Sequence, residues 1–334
     1  MTSGVLWGLT RSLFRKARRT SIHFPGPHGG TIRALAGWYA ADAHVATCPR
    51  TRVMPISTAF PLTRPIPSSG ERIPVIGLGT WRAFDVGHRQ PALAPREQCV
   101  AAFESLGGCV IDSSPMYGWA EEVVGEILAS LGIRDRTFIA TKVWAEGKER
   151  GLEQMRNSMR KLCVDRIDLM QVHNLVDTTA HLETLRQWKA EGLVRYIGVT
   201  HYADRAHPDV ARVLRQEPLD FVQINYSVVE RAAEQSILPL AADRGVAVIA
   251  NRPLAAGAAL GALRGRPVPD WASELGCTTW SQLLLKFVVS HPAVTCAIPA
   301  TANPDHLRDN MQAAFGPMPD ESFRERIALA ATRH

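Results

Sequence analysis

Eight short apolar runs, separated by stretches with helical spacing, leave few folds open to the chain from residue 63 onward. The runs cover 75–79, 109–112, 137–142, 167–173, 196–199, 221–225, 246–251 and 294–299. They are continuous rather than alternating in apolar character. That pattern means burial on both faces, and hence a parallel sheet covered by helices. Helical stretches at 96–106, 120–131, 152–162, 182–191, 205–215, 232–242 and 280–290 lie between them. Repetition of this unit predicts an α/β fold, a closed (β/α)8 TIM barrel rather than an open doubly wound sheet. Gly77-Leu78-Gly79-Thr80-Trp81 begins like a dinucleotide-binding turn, but Arg82 stands where GxGxxG needs its third glycine. Pro65 to Pro74 reads as a short hairpin with Ser69-Gly70 at its turn, closing the barrel at its start. A helical tail is expected at the other end.

The first 62 residues differ in kind from residues 63–334, which read as one barrel domain. They hold eight Arg and Lys against a single acid, Asp42, so the +6 of the whole chain leaves the remainder at −1. The positive charge therefore marks a basic extension, and a nucleic-acid partner is not expected for the body. Pro25, Gly26, Pro27, Gly29 and Gly30 favour disorder in that extension, or a start at Met54. Arg18-Arg19 is not followed by a clean apolar segment, as an export signal requires. A cytoplasmic location is expected, with export or organellar targeting by residues 1–50 as the alternative. Six cysteines without a CxxC pair read as reduced thiols. No apolar run approaches the roughly 20 residues of a membrane span. Nothing in the sequence bears on oligomeric state.

Polar residues collect where the apolar runs end: Asp112, Tyr117, Lys142, His173, Asn174, Thr200, His201, Gln223, Asn225, Asn251 and Arg252. In a barrel this face carries the active site. Any one of them could be an ordinary loop or capping group. Asp112, Tyr117, Lys142 and His173 together are harder to dismiss, since all are of catalytic type on three neighbouring strands. A phenol with a pKa about 10 is a poor acid at neutral pH, and a nearby ammonium favours its phenolate. Asp112 would keep Lys142 charged, and His173 would donate to a substrate oxygen. Such a set suits delivery of a proton to a carbonyl oxygen while something else supplies hydride. A Schiff-base lysine would need a lowered pKa, which Asp112 opposes. No HxH or HExxH spacing supports a metal, and none is expected.

These residues carry a resemblance. Ile111-Asp112, Tyr117-Gly118, Glu121 and Gly125, with Thr141-Lys142-Val143-Trp144, Asp168 to His173, and Ile298 to Asn310, resemble the motifs of the aldo-keto reductase family. The resemblance spans all eight units in order. It implies a reductase of aldehydes and ketones using NADP, with NAD as the other candidate, and a small carbonyl compound as substrate. It implies a catalytic tetrad of Asp112, Tyr117, Lys142 and His173, with the tyrosine as acid. Gly79 and Thr80 would lie near the nicotinamide. Thr200, His201 and Gln223 would hold its carboxamide, and Leu254 would approach the pyrophosphate. Asn251, Arg252, Thr301, His306 and Asn310 complete the implied cofactor contacts, and Trp81, Trp119 and Trp144 the substrate wall. Three positions depart from the family pattern. Thr200-His201 replace Ser-Asn, Asn251-Arg252 replace a stacking aromatic, and Ala300 and His306 lack the usual 2′-phosphate cations, for which Arg252 or Arg308 could substitute. The other reading the resemblance allows is a cofactor-binding redox-sensing module with little turnover.

Overall fold

The computed structural model describes residues 60–87 and 90–333, so the basic extension lies, up to residue 59, outside the described residues. In order, the elements are β1 (Thr63–Pro65), β2 (Arg72–Pro74), β3 (Leu78–Gly79), α1 (Gln90–Ser105), β4 (Val110–Asp112), α2 (Ala120–Leu131), β5 (Phe138–Val143), α3 (Lys148–Leu162), β6 (Ile167–His173) and α4 (Thr178–Ala190). Then follow β7 (Val194–Thr200), α5 (His207–Gln216), β8 (Phe221–Asn225), α6 (Ile237–Asp243), β9 (Ala247–Asn251), α7 (Ala258–Ala262), α8 (Trp280–Ser290), β10 (Cys296–Ala297), α9 (Pro304–Met311) and α10 (Glu321–Thr332).

Strands β3 to β10 form one eight-stranded sheet in sequence order, each parallel to the next. Two bridges, Ile76 with Ala297 and Gly79 with Ala300, join its first and last edges. The sheet is therefore the (β/α)8 barrel that the repeated unit predicts. Glycine matters at the seam, because a Cβ on Gly79 would stand 2.7 Å from the Ile298 carbonyl oxygen. The seam strands are shorter than their apolar runs. Residues 75–77 still bond across it, Gly77 N–H to Ala297 O and Ala297 N–H to Val75 O at 2.8 Å, but as an isolated bridge rather than a ladder.

Side-chain alternation along the strands decides what fills the barrel. One parity of each strand points inward. Ile66 and Ile73 of the hairpin region pack with Val110, Phe138, Ala140, Leu169, Tyr196, Phe221, Ala247, Ile249, Cys296 and Ile298 into an apolar plug. The other parity packs against the helices in a second, larger core. The hairpin is held by the β1–β2 pairing and by Arg64, whose Nη1 donates to the carbonyls of His291 and Val294, both at 2.5 Å. Continuing inward positions toward the carboxyl ends gives Asp112, Lys142, Gln171, His173, Thr200, Gln223 and Asn251. Apolar base and polar mouth thus lie on the same columns.

Helix α1 begins at Gln90, whereas the prolines at 91 and 95 predict a loop through 95. Pro91 falls in the first turn, where a missing N–H costs nothing. Pro95 leaves the Pro91 carbonyl without a helical donor, and the next residue, Arg96, ties the turn down: its Nη1 donates to Ala92 O at 3.0 Å and its Nε to Ala83 O at 2.8 Å. Among the described residues no helix is long and apolar enough to cross a membrane.

Gly125 of the Tyr117-Gly118-x-x-Glu121-x-x-x-Gly125 motif explains itself by packing. A Cβ there would stand 2.2 Å from the Lys161 carbonyl oxygen, because α2 passes directly over the end of α3. Backbone cannot move aside as a side chain can. Gly125→Ala is expected to destabilise by about 1–3 kcal/mol through overpacking. Thermal unfolding checks this, and an unchanged Tm would contradict the packing argument.

Candidate active site

Neighbouring strand ends bring the ionisable groups together at the carboxyl mouth. Lys142 Nζ lies 2.6 Å from Asp112 Oδ2 and also donates to Ser113 O at 2.6 Å. Both side chains are almost fully buried, at 1% and 3% exposure, so the charges are held in a poorly solvated place. Such a pair survives only if its remaining lone pairs are met. Asp112 Oδ1 accepts Gln223 Nε2 at 2.8 Å and Gln171 Nε2 at 3.4 Å, and Thr200 Oγ1 donates to Gln223 Oε1 at 3.1 Å. Burial alone would push the ammonium of Lys142 toward neutrality, but Asp112 and Tyr117 reverse this and leave its pKa raised. The pairing thus favours the charged ammonium.

Tyr117 arrives on the loop after β4. Its N–H donates to Ser114 O at 3.0 Å, and Lys142 Nζ stands 5.2 Å from its ring centroid. Gly118 then adopts φ +59, where an added Cβ would strike the Asp85 carboxylate that receives the Trp119 N–H at 3.0 Å. The phenol's pKa is raised, because burial outweighs the lowering by Lys142. The ammonium favours the phenolate as expected, but burial is the larger influence. Tyr117 is a firmly protonated group whose anion Lys142 stabilises.

His173 ends β6 with its ring edge-on to Tyr117, centroids 6.2 Å apart. Its pKa falls to about 3 through burial, then Lys142, then His201. It is therefore neutral at physiological pH, with one ring nitrogen carrying hydrogen. Its Nδ1 lies 3.2 Å from Ser114 Oγ. Neither Ser114 nor Gln171 stood out in the sequence. The inward parity of Leu169, Gln171 and His173 is the signal that would have found Gln171. Ser114 lies in a loop, where no periodicity applies.

Asp112, Tyr117 and His173 open into a cleft of about 1110 Å³ across the mouth. Among its walls are Gly79, Thr80, Trp81, Thr200, Gln223, Asn251, Arg252, Leu254, Thr301, His306 and Asn310, all singled out from the sequence. His201, Trp119 and Trp144 are not among the lining residues. His201 faces a neighbouring groove beside α4 and α5, its Nδ1 accepting the N–H groups of Tyr202 and Ala203 at 3.0 and 3.2 Å. Trp119 and Trp144 stand on the rim, 48% and 39% exposed. Tyr202 and Met116, which the sequence did not single out, do line the cleft.

A dinucleotide fits the donor set. The cleft is roomy at about 1110 Å³, and two lining amides, Asn174 and Asn251, have buried Oδ1 atoms with no hydrogen-bond partner among the described residues. A ligand amide would satisfy such acceptors. Asn251 is anchored by its Nδ2, which donates to His201 O at 3.2 Å. Of the two guanidinium candidates for a phosphate, Arg252 lines the cleft but is paired with Glu230 at 2.9 Å. Arg308 is outside the lining set and lies 3.9 Å from Asp305.

A closed barrel with a buried ammonium–carboxylate pair, a protonated phenol and a neutral imidazole at one mouth is the plan of a barrel enzyme. The model of the aldo/keto reductase family matches residues 75–330, and the chain belongs to that family. It is thereby an oxidoreductase that depends on a nicotinamide cofactor. Methylglyoxal reductase YeaE of Escherichia coli is 31% identical over 252 residues, covering 71% of this chain and 84% of the relative. An NADH-specific methylglyoxal reductase of the same organism is 29% identical over 231 residues, covering 59% and 68%. Among solved structures, an aldo/keto reductase from Klebsiella pneumoniae in complex with NADP and acetate superposes with a TM-score of 0.66 at 29% identity, covering 78% of this chain and 93% of that one.

Proposed function

We propose that the chain reduces the carbonyl of a small aldehyde or ketone to an alcohol, with Tyr117 as the proton donor. One observation carries the reading: the buried Lys142–Asp112 pair, 2.6 Å apart, stands beside Tyr117 and His173 at an open cleft. When held in the cleft, NADPH or NADH would provide the hydride for the carbonyl carbon. As negative charge develops on the oxygen, the Tyr117 hydroxyl gives up its proton to it. Lys142 stabilises the phenolate left behind, and Asp112 holds the ammonium charged and in place. His173, neutral, donates its N–H to the same oxygen and fixes its position. Trp81 and Met116 offer an apolar wall to the substituent on the carbonyl. Gly79, Thr80, Thr200, Gln223, Asn251 and Leu254 are proposed to hold the nicotinamide and pyrophosphate. Arg252, Thr301, His306 and Asn310 are proposed for the remainder.

Two relatives carry methylglyoxal in their names, which makes a small 2-oxoaldehyde the first substrate to try. The test follows loss of reduced-cofactor absorbance with methylglyoxal and a panel of aldehydes and ketones, using NADPH and NADH separately. Turnover with at least one cofactor is expected. Tight cofactor binding without turnover across the panel would turn the assignment to the non-catalytic module.

The pH profile has a definite expected shape. His173, titrating at about 3, stays neutral from pH 5 to 9, so no break is expected near the ordinary histidine value of about 6.5. Tyr117 must be protonated to act, and burial raises its pKa beyond the ordinary phenol range, so the rate of reduction falls only on the far alkaline side. A clear acid limb near pH 6.5 would contradict this.

A further inference from the structure

Ser114 sits wholly buried between the end of β4 and Tyr117. Its Oγ lies 3.2 Å from His173 Nδ1 and also accepts the Met116 N–H at 3.3 Å. Two proton arrangements are open to this contact. If Nδ1 carried the hydrogen, Ser114 Oγ would accept twice. Its own proton would then have no acceptor among the described residues, and an unmet buried hydroxyl is unfavourable. If Ser114 donates to Nδ1, every group is satisfied. Which imidazole nitrogen is protonated is set by the hydrogen bond that the other one makes. Nδ1 is thereby committed to Ser114, and Nε2 is the nitrogen left for the cleft that His173 lines.

We propose that Ser114 is a positioning residue that locks His173 in the Nε2–H tautomer, so that this N–H meets the carbonyl oxygen of the substrate. The role rests on the reductase reading given above, but the tautomer itself does not. Burial, with Lys142 and His201 nearby, keeps the ring neutral at physiological pH, so a single tautomer is there to be chosen.

The test is imidazole nitrogen NMR on full-length, histidine-labelled protein without cofactor, with His173→Gln used to assign the His173 signals. A bare Nδ1 and a protonated Nε2 are expected. In Ser114→Ala, an Nδ1-protonated population should appear beside the first. A protonated Nδ1 in the unsubstituted protein would overturn the proposal, as would a tautomer signature that Ser114→Ala leaves untouched. Because no turnover is measured, this outcome is separate from whether the protein reduces carbonyls. Once turnover is established, Ser114→Ala is expected to lower kcat by about 2- to 10-fold, the worth of one hydrogen bond, with cofactor Kd unchanged. A kcat equal to that of the unsubstituted enzyme would show that the contact does not serve the reaction.

Discussion

Tyr117→Phe is expected to lower kcat/KM for carbonyl reduction by about 10²- to 10⁴-fold, the usual contribution of a positioned general acid. The substitution removes one oxygen and keeps the ring that packs beside His173 and Lys142. Cofactor Kd and Tm should therefore change little, which separates loss of the acid from loss of the site. Activity surviving within a few-fold would remove Tyr117 from its role, and Asp112 and Lys142 would lose their reason for standing beside it.

The second large effect is on stability. Asp112→Asn leaves the Lys142 ammonium, 1% exposed, without its counter-ion. An uncompensated buried charge costs about 3–5 kcal/mol. Asp112→Asn combined with Lys142→Met removes both charges and should recover part of that loss, while reduction remains abolished. Equilibrium denaturation of both single variants and the double variant gives the coupling. If the double variant is no more stable than Asp112→Asn alone, the pair is not coupled as the geometry requires. Stability and activity separate here because the pair's net worth to folding is small, whereas its worth to a phenolate is local and electrostatic.

Much of the barrel was legible because its strands are buried on both faces. The runs at 167–173 and 221–225, and the helical stretches at 120–131 and 280–290, have the bounds of β6, β8, α2 and α8. Periodicity weakens where pairing does, so β3 and β10 at the seam came out shorter than their apolar runs. Proline misled at α1, where propensity says loop but a first-turn position and the Arg96 hydrogen bonds say helix. In the site, the gathering of Asp112, Lys142 and His173 follows from strand ends alone. Loop residues are different, because the direction of their side chains depends on dihedrals that spacing does not report. Asn174 and Leu175 both take positive φ, 53° and 59°, immediately after β6. The imidazole of His201 turns toward backbone N–H groups outside the cleft. Ser114 was invisible for the same reason: its partner is 59 residues away along the chain.

The apolar plug has a consequence for proton supply. Ile66, Ile73, Phe138, Leu169, Tyr196 and Phe221 fill the barrel below Lys142 and are all buried. Apart from the Tyr196 hydroxyl, which bonds to Ser69 and Glu71 beside the hairpin, these six side chains are apolar. In the proposed reduction, a proton spent by Tyr117 would then be replaced from the mouth, through the same opening by which the alcohol would leave. Recharging the acid and clearing the product share one doorway, so the enzyme is ready for its next substrate only after the last has stopped blocking it.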